Sequence, residues 1–73
     1  MSRGDLVRLR IRELAAIHGW TLKEVSERSG VSYSTVKTYA RSNGMEMADL
    51  NALLKLSRTF DVLIEELLEV VEQ

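Results

Sequence analysis

Seventy-three residues are enough for one hydrophobic core and no more, and a chain this short buries only roughly 60% of the surface its unfolded form exposes, so association with a second copy would help it. With no Cys and a single His, a disulfide framework is excluded and neither a protein-only zinc site nor any other cofactor is expected. No apolar run approaches the ~20 residues that span a bilayer and no signal-peptide apolar segment opens the chain, so a cytoplasmic protein without membrane partners is expected.

The net charge of −1 speaks at first against nucleic acid, because binding to phosphates is largely electrostatic. Its distribution changes that reading. Residues 1–42 carry eight Lys/Arg against four acids, a surplus of four positive charges, whereas residues 43–73 carry two against seven, a surplus of five negative ones. One end of the molecule is thus suited to approach DNA and the other would be repelled from it.

In chain order, residues 1–4 read as a frayed start with Arg3 as a short basic arm, and Asp5 can cap a first helix. Val7, Ile11, Leu14 and His18 fall at i, i+4, i+7 and i+11, the spacing of a buried helical face. His18 is the one residue that invites a catalytic or metal reading. It stands beside Gly19 at a helix end with no Cys, Asp or second His at ligand spacing, so a structural role at the negative end of the helix dipole is expected.

The stretch from Thr21 to Arg41, TLKEVSERSGVSYSTVKTYAR, reads as two short helices joined by a tight turn. Thr21 with Glu24 three residues later forms a capping box for the first, and Ser32 caps the second. Between them Gly30 can take the left-handed conformation that ends a helix without a Cβ penalty, and Val31 is the apolar residue expected just past it. Core positions are expected at Leu22 in part, Val25 and Ser29, then at Val36 and Tyr39, with Ser26 bonding back to the carbonyl four residues earlier. Helix, glycine corner and Ser-capped helix are the spacing of a helix-turn-helix.

Ser42 to Met47 reads as a loop with Gly44 free to take positive φ, and Met45 and Met47 are expected to close the core. A fourth helix follows over about Ala48 to Arg58, burying Leu50, Leu53, Leu54 and Leu56 in part, with Phe60 and Val62 sealing the corner. A fifth is expected from Leu63 to Glu72. On its wheel Leu63, Ile64, Leu67, Leu68, Val70 and Val71 crowd one side and Glu65, Glu66, Glu69 and Glu72 the other, an apolar arc of about 160° at 100° per residue. That is wider than one core needs. Leu63, Leu67 and Val70 are therefore expected to pack on a symmetry mate, forming a homodimer.

The central stretch, together with IRELAAIHGWT (Ile11 to Thr21) before it and LLKLSRTFDVLIEEL (Leu53 to Leu67) after it, resembles the helix-turn-helix of the phage repressor and Cro type, the XRE family, over nearly the whole chain. The resemblance implies an all-α, compact five-helix DNA-binding domain: one domain over 1–73, with the helix-turn-helix at about 21–41 and a C-terminal dimerising helix at 62–72. It implies that Trp20 packs on the core and that Ser26 replaces the family's usual Ala. Where many members hold helix one to helix three with an Arg at the position of Ala15 and a Glu at that of Ala40, this chain has two Ala. Removing both partners of a buried pair strands no charge. The family's frequent Gly at Ser42 and Pro at Ala48 are also missing.

Carried over residue by residue, the resemblance puts Tyr33, Ser34 and Thr38 towards base edges, Lys37 beside them, and Ser32 and Arg41 on phosphates of double-stranded DNA. None of the residues put at the base edges is the Arg, Gln or Asn that makes bidentate base contacts, so part of the specificity is expected from DNA shape. No catalytic constellation stands against this reading: hydroxyls are plentiful but His18 is the only candidate base, and an enzyme is not expected. Two functions compete. One is a sequence-specific transcriptional regulator, repressor or activator, binding as a homodimer with helix three in the major groove. The other is a protein-interaction module on the same scaffold, of antitoxin or transcription-adaptor kind, which the negative net charge favours.

Overall fold

The two ends of the chain, expected as helices, pair instead as a β-ribbon. The computed structural model describes residues 5–41 and 48–72, and there the chain runs β1 (Asp5–Leu9), α1 (Ile11–His18), α2 (Leu22–Ser29), α3 (Tyr33–Tyr39), α4 (Leu50–Phe60), a 3-10 turn (Ile64–Leu67) and β2 (Leu68–Glu72). The expectation of an all-α, five-helix domain is therefore corrected to four α-helices and an antiparallel two-stranded ribbon among the described residues. None of these helices is long and apolar enough to cross a membrane.

Register explains the ribbon. Val7 pairs with Val70, Arg8 with Glu69 and Leu9 with Leu68, so β-branched or apolar residues face one another on one side and opposite charges on the other. Arg8 Nε reaches Glu69 Oε1 at 3.0 Å. The ribbon enters the body at its Leu9 end: Leu9 is buried, Leu68 packs partly against the core, and Val70 at the outer end is 61% exposed. The helix predicted from Asp5 thus begins only at Ile11. Arg10 occupies the cap position without a side-chain capping bond, and its N–H donates to the carbonyl of Leu67 at 2.7 Å, tying the start of α1 to the 3-10 turn.

The same pairing removes the fifth helix and its dimer seam. Leu67 is completely buried in its own subunit's core, so the expectation that it meets a partner is corrected. Leu63 and Val70 are 63% and 61% exposed, but they belong to a turn and a strand and do not form an i, i+7 helical row.

The four helices and the 3-10 turn meet over Ile11, Val25, Val36, Leu56, Phe60 and Leu67, each almost fully excluded from solvent. Val7 lies on β1 and His18 is exposed, so only Ile11 and Leu14 of the expected stripe are core residues. Ala15 is buried and Ala40 packs on the same cluster, which leaves no stranded charge where the two alanines stand. Trp20 clusters with His18 and Phe60, with ring centroids 4.4 and 5.9 Å away, and the Arg28 guanidinium lies 4.4 Å from the centroid of its ring. His18 Nε2 lies 3.2 Å from the Phe60 carbonyl oxygen, so the imidazole serves as a clasp between α1 and α4.

Helix α4 starts two residues later than predicted and ends two later. Asp49 caps it by accepting from the Ala52 N–H at 3.0 Å, and this leaves Leu50, expected inside, 64% exposed. Leu53 and Leu56 are buried as predicted and Leu54 partly so. The helix closes on Asp61 at φ 58, a left-handed residue that lets the Val62 N–H donate to the Ser57 carbonyl at 2.9 Å. A β-branched side chain there is strained by ~1–2 kcal/mol. Asp61→Val is expected to lower stability by about that amount in urea titration while Asp61→Gly leaves it within ~0.5 kcal/mol. The loop expectations for Ser42 to Met47, including Gly44 and the two methionines, lie outside the described residues.

Candidate nucleic-acid interface

Two pairs of polar side chains fix the start of α2 and the corner that sets α3 against it. The Glu24 N–H donates to Thr21 Oγ1 at 3.1 Å and the Thr21 N–H to Glu24 Oε1 at 2.8 Å, so both halves of the capping box form. At the other end Gly30 adopts φ 79 and its N–H donates to the Ser26 carbonyl. The Ser26 hydroxyl turns forward to donate to the Val31 carbonyl at 2.6 Å, and the Val31 N–H donates to Ser29 Oγ at 3.1 Å. Ser26 therefore staples the turn; the back-bond within α2 that the sequence suggested is not made, because the turn carbonyl needs a donor.

Helix α3 is then fixed from inside. Val36 and Tyr39 are buried, and the Tyr39 hydroxyl accepts from the Asp49 N–H at 3.1 Å, which docks α3 on the start of α4. Ser32 caps it by accepting from the Thr35 N–H at 3.3 Å. What remains outside is one continuous face: Ser32, Tyr33, Ser34, Lys37 and Arg41 are exposed and Thr38 is half-buried.

The hydroxyls on this face are partly committed. Ser32 Oγ donates to Thr35 Oγ1 at 2.8 Å and Thr38 Oγ1 to the Ser34 carbonyl at 3.0 Å, so towards a ligand these two offer acceptor lone pairs and, for Thr38, a methyl. The Lys37 ammonium lies 4.5 Å from the centroid of the Tyr33 ring, a cation–π contact worth ~0.5–1 kcal/mol at an exposed site. Lys37 is thereby held along the middle of the face, and Arg41 closes its end.

One recess lies beside α3 and another at its C-terminal end. One, of about 280 Å³, is lined by Ser34, Thr35, Thr38, Tyr39 and Asp49; it brings beside the outer face of α3 a carboxylate that the sequence pattern had not placed there. The signal was there in Asp49 standing three residues before Ala52 at the head of an apolar run. The other, of about 250 Å³, lies between the ribbon, the start of α1 and Ala40, and gathers Arg8, Arg10 and Arg12. Arg10 Nε reaches Glu13 Oε1 at 2.9 Å, and this hydrogen bond and charge hold the Glu13 carboxyl below the usual carboxylate range. Among the described residues no three His, Cys, Asp or Glu stand together as a metal site.

A family model described as a Cro/C1-type HTH DNA-binding domain matches residues 10–73. No curated protein and no solved structure matches the chain.

Proposed function

Since the chain belongs to the Cro/C1-type helix-turn-helix DNA-binding domain family, we propose that it is a sequence-specific transcriptional regulator that lays α3 in the major groove of double-stranded DNA. The observation that carries this reading is the outward face of α3, where exposed Tyr33, Ser34, Lys37 and Arg41 project from a helix anchored by Val36 and Tyr39. In this reading Lys37 supplies the strong donor to base edges, Tyr33, Ser34 and Thr38 supply single hydrogen bonds or apolar contact to thymine methyls, and Ser32 and Arg41 take phosphates.

The regulator acts as a homodimer, with two copies of α3 spaced about one DNA turn, ~34 Å, so that they read adjacent half-sites. Exposed Leu63 and Val70 are the apolar positions that favour self-association. Selection of bound sequences from random duplexes tests both parts. A two-fold-symmetric enriched motif is the expected result, and enrichment of a single half-site speaks against the dimer. A library recovered without enrichment at low salt would sink the DNA reading and favour an interaction module that binds another protein, for which the same two exposed apolar residues provide contact area.

A further inference from the structure

From the recess at the end of α3 we infer a second DNA contact, in which Arg12, with Arg8 and Arg10 beside it, receives a backbone phosphate flanking the base pairs that α3 reads. The inference rests on the DNA-binding reading and deepens it. Three arginines line one recess of about 250 Å³ whose wall on the α3 side is Ala40. Ala40 stands i+3 from Lys37, the spacing of neighbours on a helix, and directly before Arg41, so the recess continues the reading face.

The three arginines are not equivalent. Arg8 is engaged by Glu69 at 3.0 Å and Arg10 by Glu13 at 2.9 Å, and Arg10 also donates to the Glu66 carbonyl at 3.1 Å. Arg12 is exposed and has no ion pair among the described residues. It is the group free to take a phosphate bidentately, the geometry that suits a guanidinium. The paired arginines serve by holding the recess open and positively biased, and the start of α1, which no side chain caps, adds the favourable end of its dipole. The small Ala40 side chain leaves the space unfilled.

A DNA phosphate fits better than a free anion because Ala40, in the wall of the recess, directly precedes Arg41 in the chain, and because the net charge of the recess is small: three Arg face two Glu. Such a site needs the partner's other contacts to bring the phosphate to it. The experiment is the salt dependence of binding to a selected duplex for the full chain and four variants, with thermal unfolding recorded for each.

Arg12→Gln is expected to lower the slope of log affinity against log salt by about one unit with Tm unchanged. Ala40→Glu is expected to do the same while keeping or raising Tm, because the new carboxylate occupies the phosphate position and pairs with Arg12. Arg58→Gln, a charge change in the last turn of α4 outside the recess, should leave the slope as it is. Should Ala40→Glu fail to fold, Ala40→Gln fills the same space without charge and is expected to weaken binding.

Folded Arg12→Gln protein with the parent's slope would overturn the site. So would an equal loss in Arg58→Gln, which would reduce the effect to overall charge. Titration with inorganic phosphate, followed by amide shifts of Arg12 and Ala40, supplies the remaining arm: saturation below millimolar with an unchanged DNA slope would overturn the assignment in favour of a small-anion site. A parent chain that binds no duplex at all would instead remove the regulator reading, and this inference with it.

Discussion

Replacing Phe60 by Ala is expected to lower Tm by more than ~10 °C, the largest stability effect of any single truncation in this domain. Phe60 is 1% exposed and its ring lies 5.7 Å from that of His18 and 5.9 Å from that of Trp20. Burial and the cavity left behind together cost ~3–5 kcal/mol for Phe→Ala in a packed core. A domain of this size has a total stability of only about 4–11 kcal/mol, and each kcal/mol moves Tm by roughly 4–8 °C. The variant also frees His18 and Trp20 from their stack, so Trp20 fluorescence should report the loss before the helices melt. Leu50→Ala is the control: exposed Leu50 should change stability by no more than ~0.5 kcal/mol. Thermal melts by circular dichroism check both, and equal losses at the two positions would contradict the packing described.

The largest effect on binding is expected from removing both cations of α3. Lys37→Ala should weaken binding about tenfold, in line with ~1–3 kcal/mol for a base-reading donor, and blur preference near one base pair. Arg41→Ala should weaken all sequences alike and lower the salt slope by roughly one unit. The double variant should lose binding at moderate salt while keeping its Tm, because both side chains are exposed. The Lys37 ammonium lies over the Tyr33 ring, so Tyr33→Phe should retain most of the affinity and Tyr33→Ala should lose part of what Lys37 supplies. Fluorescence anisotropy across a salt series measures each term. A double variant that binds as tightly as the parent would show that α3 is not the reading helix.

These expectations draw on parts of the molecule that were unequally legible. Gly30 ends α2, Thr21 and Ser32 cap their helices, and Val25, Val36 and Tyr39 point inward, each from a signal that spans four residues or fewer. The outer face of α3 follows from the same periodicity. The arginine recess did not, because Arg8, Arg10 and Arg12 meet Ala40 and Glu69 only after the two chain ends are brought together. Ser26 was misjudged for a similar reason: its hydroxyl had an acceptor within α2 and another across the turn, and only the folded corner shows that it bonds the second.

The sequence by itself determined the helix-turn-helix, since caps, a left-handed glycine and a 3.6-residue stripe are local and each favours the same conformation. It left both ends ambiguous. Val7, Ile11 and Leu14 fit a helical stripe, and Leu63 to Glu72 alternate well enough to fit an amphipathic helix. Tertiary structure decided these segments, because pairing Val7 with Val70 and Leu9 with Leu68 joins residues some sixty positions apart. It pairs one backbone edge of each strand with the other and buries Leu9 and Leu67 in one core. A strand's stability lies in its partner, and no pattern within five residues reveals whether that partner exists.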